Sequence, residues 1–193
     1  MANSVHGAAS DDNSGVADVQ PATTRAVDAV ILVGGRGTRL RPLTIGTPKP
    51  MLPTANHPFL QHLLARIKAA GITHVVMSTS FKAEIFEEYF GDGSDMGLEI
   101  EYVVEDTALG TGGGIRNVYD HLRHDTVMVF NGDILSGMDL GGILDTHHSK
   151  DADLTMHLLN VRDPRAFGCV PTDDDGRVLE FLEKTEDPPT NQI

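Results

Sequence analysis

The chain has 193 residues, one cysteine and a formal net charge of -13, and this length can bury a core without disulfide staples. A lone thiol, Cys169, excludes a disulfide framework and a multi-cysteine zinc site and suits a reducing compartment, the cytoplasm. The acidic balance excludes a protein that wraps nucleic acid nonspecifically, and no apolar run approaches the roughly 20 residues that span a bilayer, so neither nucleic acid nor membrane is an expected partner. The charge is unevenly placed: between Asp28 and Glu84 there is no Asp or Glu, while Arg36, Arg39, Arg41, Lys49, Arg66, Lys68 and Lys82 all lie there. That segment is expected to attract anions.

In chain order, residues 1–25 are small and polar without helical or strand periodicity, which predicts a disordered tail ahead of a domain over 26–193. "VDAVILV" is a short apolar run ending in glycines, the pattern of a buried parallel strand. "HPFLQHLLARIKAAG" spaces Phe59, Leu60, Leu63, Leu64 and Ile67 as a helix stopped by Gly71. "THVVMSTS" reads as strand, "KAEIFEEYFGDG" as helix, "LEIEYVVE" as strand, "GGIRNVYDHL" as helix and "TVMVFNGD" as strand. "ILDTHHSK" follows as helix, "DLTMHLLN" as strand, and "GCVPTDDDGRVLEFLEK" as a hairpin turning at Asp175 and Gly176. Such alternation predicts an α/β fold, a Rossmann-like three-layer sandwich around a mainly parallel sheet.

Ligands of open α/β sheets bind beyond the carboxyl ends of the strands, where the loop after "AVILV" must lie. Gly34, Gly35 and Gly37 allow the backbone to approach a ligand and converge its N–H groups on phosphate oxygens. A Walker loop is excluded, because neither Gly34 nor Gly37 begins G-x-x-x-x-G-K-[ST]. The dinucleotide fingerprint fails twice at its last glycine, at Leu40 and at Ile115. Arg39 supplies a forked cation, and Lys49 is presented as a point charge between two prolines. Arg36 and Arg41 divide evenly between steering charge and solvated surface. Asp133 ends a strand at the same crevice; it is either a helix-capping or turn carboxylate or part of a magnesium site, since that ion takes one or two carboxylates with phosphates and water. Glu105 also ends a strand; it is either a solvated side chain or an acceptor for paired donors of a ligand. The histidines, including His147 and His148, have no metal-ligand company and read as solvated, and Asp173 to Asp175 as a hairpin tip rather than a calcium loop.

The spacing G-G-x-G-T-R-L-x-P-L-T from Gly34 to Thr44, followed by P-K-P at 48–50, resembles the signature of the sugar-phosphate nucleotidylyltransferases, the NDP-sugar pyrophosphorylases. "LGTGGG", "NGD", "FGCV" and "EK" recur downstream in the family's order, so the resemblance covers 27–193. It implies a nucleotide-diphospho-sugar transferase fold and a reaction in which a sugar 1-phosphate attacks the α-phosphorus of a nucleoside triphosphate and releases pyrophosphate. The nucleophile is already an anion, so catalysis reduces to aligning two polyanions and neutralising the leaving group. By resemblance Arg39 and Lys49 are catalytic, Val33, Gly34, Gly35, Gly37 and Thr38 hold the nucleotide, and Glu105, Leu109, Gly110 and Thr111 surround its base. Asp133 is the implied ligand of Mg2+, and the family's second metal Asp has no match before Ile193. Gly168, Glu183 and Lys184 match the motifs that hold the sugar phosphate, although Cys169 and Thr185 replace the usual valine and proline beside them.

Within the family the segment is most similar to the branch that transfers guanylyl groups from GTP to mannose 1-phosphate. Uridylyl or thymidylyl transfer to glucose 1-phosphate is the alternative, and a catalytically idle sugar-nucleotide sensor a third reading. A sensor should have lost Arg39, Lys49 or Asp133, and all are present. The family continues past the last residues here with the rest of its sugar pocket, so the domain is expected to be incomplete at its C-terminal end. A homo-oligomer is compatible with the sequence.

Overall fold

The computed structural model describes residues 24–35, 37–107 and 109–193. The expected tail over 1–25 lies outside them except for Thr24 and Arg25; the Arg25 N–H donates to Gly71 O at 2.9 Å and its guanidinium lies 3.5 Å from Asp145.

Four strands form one parallel sheet: β1 (Val27–Leu32), β4 (His74–Thr79), β5 (Glu99–Val104) and β6 (Thr126–Asn131), in the order β5-β4-β1-β6. A two-residue pair, β2 (Pro53–Thr54) and β3 (His57–Pro58), precedes the first helix. The helices are α1 (Phe59–Ala69), α2 (Ala83–Phe90), α3 (Gly110–Asn117) and α4 (Leu140–Ser149). No helix among the described residues is long and apolar enough to cross a membrane.

The central position of β1 explains its near-continuous apolar run, because both faces are covered. Alternate residues serve different layers. Val27, Ala29 and Ile31 face Leu60, Leu64 and Ile67 of α1, Phe86 and Phe90 of α2, and Leu140 and Leu144 of α4. Val30 faces the other way with Val76 and Val118, where α3 covers the sheet. The expected three-layer arrangement is therefore present.

One residue of β1 breaks the apolar run: Asp28 is fully buried. Its carboxylate lies at the amino end of the sheet, 2.7 Å from His74 Nδ1 and 2.8 Å from His124 Nδ1, and accepts the backbone N–H groups of Arg123 and His124 at 2.7 and 2.8 Å. Glu101 extends the cluster, 3.1 Å from His74 Nε2 and 2.9 Å from His121 Nδ1, and Arg123 clamps Glu99 and Glu101. Burial pushes the Asp28 carboxyl up, but the four hydrogen bonds together outweigh it and hold the group at about 2. The His121 bond, assisted by His74 and Arg123 against desolvation, likewise holds Glu101 at about 2.

Three expectations are corrected. His74, expected to be solvated with the other histidines, is buried at the start of β4 because Asp28 and Glu101 engage both of its ring nitrogens. The helix expected over Gly113–Leu122 starts earlier, at Gly110, and ends at Asn117, with a separate 3₁₀ turn over Tyr119–His121. Four glycines in its sequence disguise its start, since glycine has low intrinsic helix propensity and packing supplies the stability instead. The strand expected over "DLTMHLLN" is not formed: only its end pairs, with Leu159 and Ile193 exchanging backbone bonds of 3.0 and 2.9 Å. Leu154 and Met156 lie exposed. Alternation gives a segment strand character only where a ladder partner accepts its backbone, and none of the sheet strands does so here. The hairpin is present: Cys169 and Leu182 exchange bonds of 2.8 and 2.9 Å, and Asp173 caps the turn by accepting the N–H groups of Asp175 and Arg177.

Candidate active site

A cleft of about 720 Å³ opens at the carboxyl ends of all four sheet strands. β1 contributes Leu32 and the loop after it, β4 leads to Ser78 and Ser80, β5 to Glu105, and β6 to Asn131 and Asp133. Val33, Gly34, Gly35, Gly37, Thr38, Arg39, Lys49, Glu105, Gly110, Thr111 and Asp133, all singled out from the sequence, line this one space.

The loop after β1 is shaped by contacts that only glycine permits. Ser80 Oγ donates to Gly34 O at 2.6 Å, and a Cβ on Gly34 would stand 2.8 Å from that same oxygen. Gly37 has φ +57, a left-handed conformation costly for other residues. Its carbonyl accepts the buried Thr44 hydroxyl at 2.8 Å. A Cβ there would also press on Thr44 and Lys49. The turn this creates starts the 3₁₀ segment Thr38–Leu40, which exposes Arg39 at the rim. Among the described residues no ion pair engages Arg39.

Lys49 opens a second 3₁₀ turn, Lys49–Met51, with Pro48 and Pro50 on either side. Its ammonium donates to Asp133 Oδ2 at 2.7 Å, with both side chains 40% exposed. The expected phosphate cation and the expected metal carboxylate thus meet each other across the cleft. At this exposure the pair contributes little to stability, so it can open to ligands at small cost. Among the described residues no group of three or more His, Cys, Asp or Glu could hold a metal ion. A lone carboxylate suits a cation that draws its remaining ligands from phosphates and water, as magnesium does.

On the opposite wall, Glu105 accepts the Ser78 hydroxyl at 2.8 Å and the Leu109 N–H at 3.2 Å. Gly110 and Thr111 begin α3 beside it, in the first turn, whose N–H groups have no intrahelical partner and are available to a ligand. Leu109 itself does not line the cleft; it serves through that N–H. Ser78, Ser80 and Asn131 were missed by sequence reasoning. Their signal was a polar residue at the carboxyl end of an apolar run, in "STS" and "FNGD".

The residues expected on the sugar side lie elsewhere. Gly168, at φ +97, is apposed to the Leu182 carbonyl and the backbone of Glu183 and Lys184, so these three are together. Lys184 borders a separate surface depression with Arg165, Thr185 and Glu186. Arg41 is exposed, and Arg36 lies outside the described residues.

A parallel sheet between helical layers, with a glycine loop and cations at its carboxyl end, defines an α/β protein whose cleft suits an anionic ligand. The family profile described as "Nucleotidyl transferase" matches residues 28–193, and the chain belongs to that family. It is 67% identical over 170 residues to the mannose-1-phosphate guanylyltransferase of Mycobacterium tuberculosis, a match covering 88% of this chain and 47% of that protein. The chain thus spans about half the length of that relative. It is 40% identical over 158 residues to the D-glycero-alpha-D-manno-heptose 1-phosphate guanylyltransferase of Aneurinibacillus thermoaerophilus, covering 82% of this chain and 68% of that protein. Among solved structures, HddC from Yersinia pseudotuberculosis complexed with GMP-PN superposes with a TM-score of 0.69 at 29% identity, covering 86% of this chain and 72% of that one.

Proposed function

We propose that the whole protein transfers a guanylyl group from GTP to mannose 1-phosphate, forming GDP-mannose and pyrophosphate. The observation that carries this reading is the 67% identity to the Mycobacterium tuberculosis guanylyltransferase, and the cleft supports it. In this reading the N–H groups of the loop over Val33–Thr38 cradle the triphosphate, and Arg39 spreads its planar fork over the transferring and leaving phosphates. Lys49 exchanges its contact with Asp133 for a phosphate oxygen as the nucleotide enters. Glu105 and the first turn of α3 receive the guanine. Gly168, Glu183 and Lys184 are assigned to the sugar phosphate on the family resemblance.

Asp133 is the residue that would hold Mg2+, which when bound supplies charge neutralisation on the triphosphate. No protein base is required, because the attacking phosphate oxygen is already anionic. A cytoplasmic setting belongs to the same reading, since the single Cys169 is a free, buried thiol. The test is pyrophosphate release by the whole protein with magnesium, four nucleoside triphosphates and a panel of sugar 1-phosphates. Release with GTP and mannose 1-phosphate above all other pairs is expected; equal or greater release with UTP or dTTP and glucose 1-phosphate overturns the guanylyl assignment.

A further inference from the structure

Ser78 was not part of the family signature, yet it is the most deeply placed polar side chain of the cleft wall. It lies in β4, 1% exposed, opposite Val103 in the register with β5. Its hydroxyl donates to Glu105 Oε1 at 2.8 Å, while Glu105 Oε2 accepts the Leu109 N–H at 3.2 Å. A third element closes on the same point: a Cβ on Gly114 of α3 would stand 2.8 Å from Glu105 Oε1 and 3.1 Å from Ser78 Oγ. A glutamate at a strand end would otherwise distribute over rotamers, and each unfixed torsion weakens recognition.

A carboxylate has about four acceptor sites, two on each oxygen. Among the described residues the protein takes one on each, from Ser78 and from Leu109, which leaves acceptor capacity on both oxygens for a ligand. Acceptors on the two oxygens of one carboxylate are neighbours, and their complement is a pair of adjacent donors. Guanine carries such a pair, N1–H and the 2-amino group, whereas hypoxanthine keeps only the first.

We propose that Ser78 is a positioning residue for base recognition: by holding Oε1 of Glu105 it presents the carboxylate edge-on to the guanine 2-amino group. The inference rests on the guanine reading of the cleft given above. It makes Ser78 act through Glu105 on discrimination at the base and not on grip of the phosphates, which the loop after β1 supplies on the other wall.

The experiment measures equilibrium binding of GTP and ITP, which lacks the 2-amino group, to the whole protein and its variants. The parent is expected to favour GTP by about tenfold, the effect of one hydrogen bond to a charged group. Ser78→Ala should bring this ratio close to unity while ITP affinity stays within about twofold, and Ser78→Thr, which keeps the hydroxyl, should restore it. A merely structural serine would lower stability or both affinities together and leave the ratio unchanged. Gly114→Ala, which improves helix propensity and pushes on the same oxygen, provides the second variant and decides the matter if Ser78→Ala does not fold. Glu105→Gln separates the two ideas. If it abolishes the ratio while Ser78→Ala and Gly114→Ala preserve it, the positioning role is overturned and the guanine reading stands. If the parent does not discriminate, or Glu105→Gln leaves the ratio intact, the base-reading role of Glu105 fails and the Ser78 proposal fails with it.

Discussion

The two ends of the sheet handle charge in opposite ways. At the amino end, Asp28, His74, His124, Glu101 and Arg123 are joined in one cluster, with the central carboxylate fully buried and bonded on both oxygens. At the carboxyl end, Arg39 stands at the rim, Lys49 and Asp133 share one exposed contact, and Gly34, Gly35 and Gly37 offer backbone instead of side chain. The first end joins three strands and the loop before β6, so its charges are used up in folding. The second leaves capacity unused, and unused capacity is what a polyanionic ligand requires. The difference teaches that a cluster of ionisable groups marks a ligand site only where the groups are left incompletely partnered.

This contrast predicts that activity and stability separate by pole. Arg39→Ala should lower kcat/KM for pyrophosphate release by about a thousandfold, the effect of removing one preorganised donor to developing charge. Its unfolding midpoint should stay at the parent value, since no ion pair among the described residues engages it. A large drop in melting temperature would place Arg39 in the structural class and break the comparison.

At the other pole the outcomes reverse. Asp28→Asn keeps the shape but removes the charge between two imidazoles, and breaking a buried ionic cluster from one side costs about 3 kcal/mol. Chemical denaturation should report that loss, while GTP affinity measured below the transition stays unchanged.

How far this arrangement was legible in the sequence depended on distance along the chain. β1 and its glycine loop are contiguous, so apolar run, turn residues and cations could be read together. Asp28 could not be understood that way, because its partners lie 46 and 96 residues away. Ser78 inside the buried β4 and Ser80 just after it carry no periodic signal, and their meaning appears only when Glu105 and Gly34 are brought beside them. The start of α3 was hidden for an energetic reason: its glycines disfavour a helix locally, and Gly114 alone of them stands where α3 closes on Ser78 and Glu105. Residues 153–160 show the converse, a strand-like pattern whose partner is not among the sheet strands.

A smaller effect follows from pH. Asp28 and Glu101 are held at about 2 in the folded protein, below ordinary values of 3.8 and 4.5. Their contribution is therefore fully present above about pH 5 and is lost as pH falls from there toward 2. For Asp28 alone the loss amounts to about 2 kcal/mol by linkage. Unfolding free energy measured at pH 7, 5, 4 and 3 should fall in that window, and the fall should be shallower in Asp28→Asn. An equal slope in the variant would show that the amino-end cluster does not control acid stability.

The smallest effect concerns the fit of the glycine loop. A methyl group on Gly34 would meet Ser80 Oγ at 2.8 Å but Ser80 Cβ at 3.6 Å, ordinary contact. The clash is therefore with one hydroxyl and not with the backbone. Gly34→Ala should displace that hydroxyl from the Gly34 carbonyl, loosen the cradle and raise KM for the nucleotide by about fivefold. Adding Ser80→Ala removes the obstructing atom, so the double variant should bind nucleotide better than Gly34→Ala alone. Such non-additivity is expected only of side chains in direct contact. Additive effects in this cycle would mean that Gly34 is required for the ligand's own close approach, which would sharpen the contrast between the poles by making the carboxyl-end loop a surface shaped for its ligand alone.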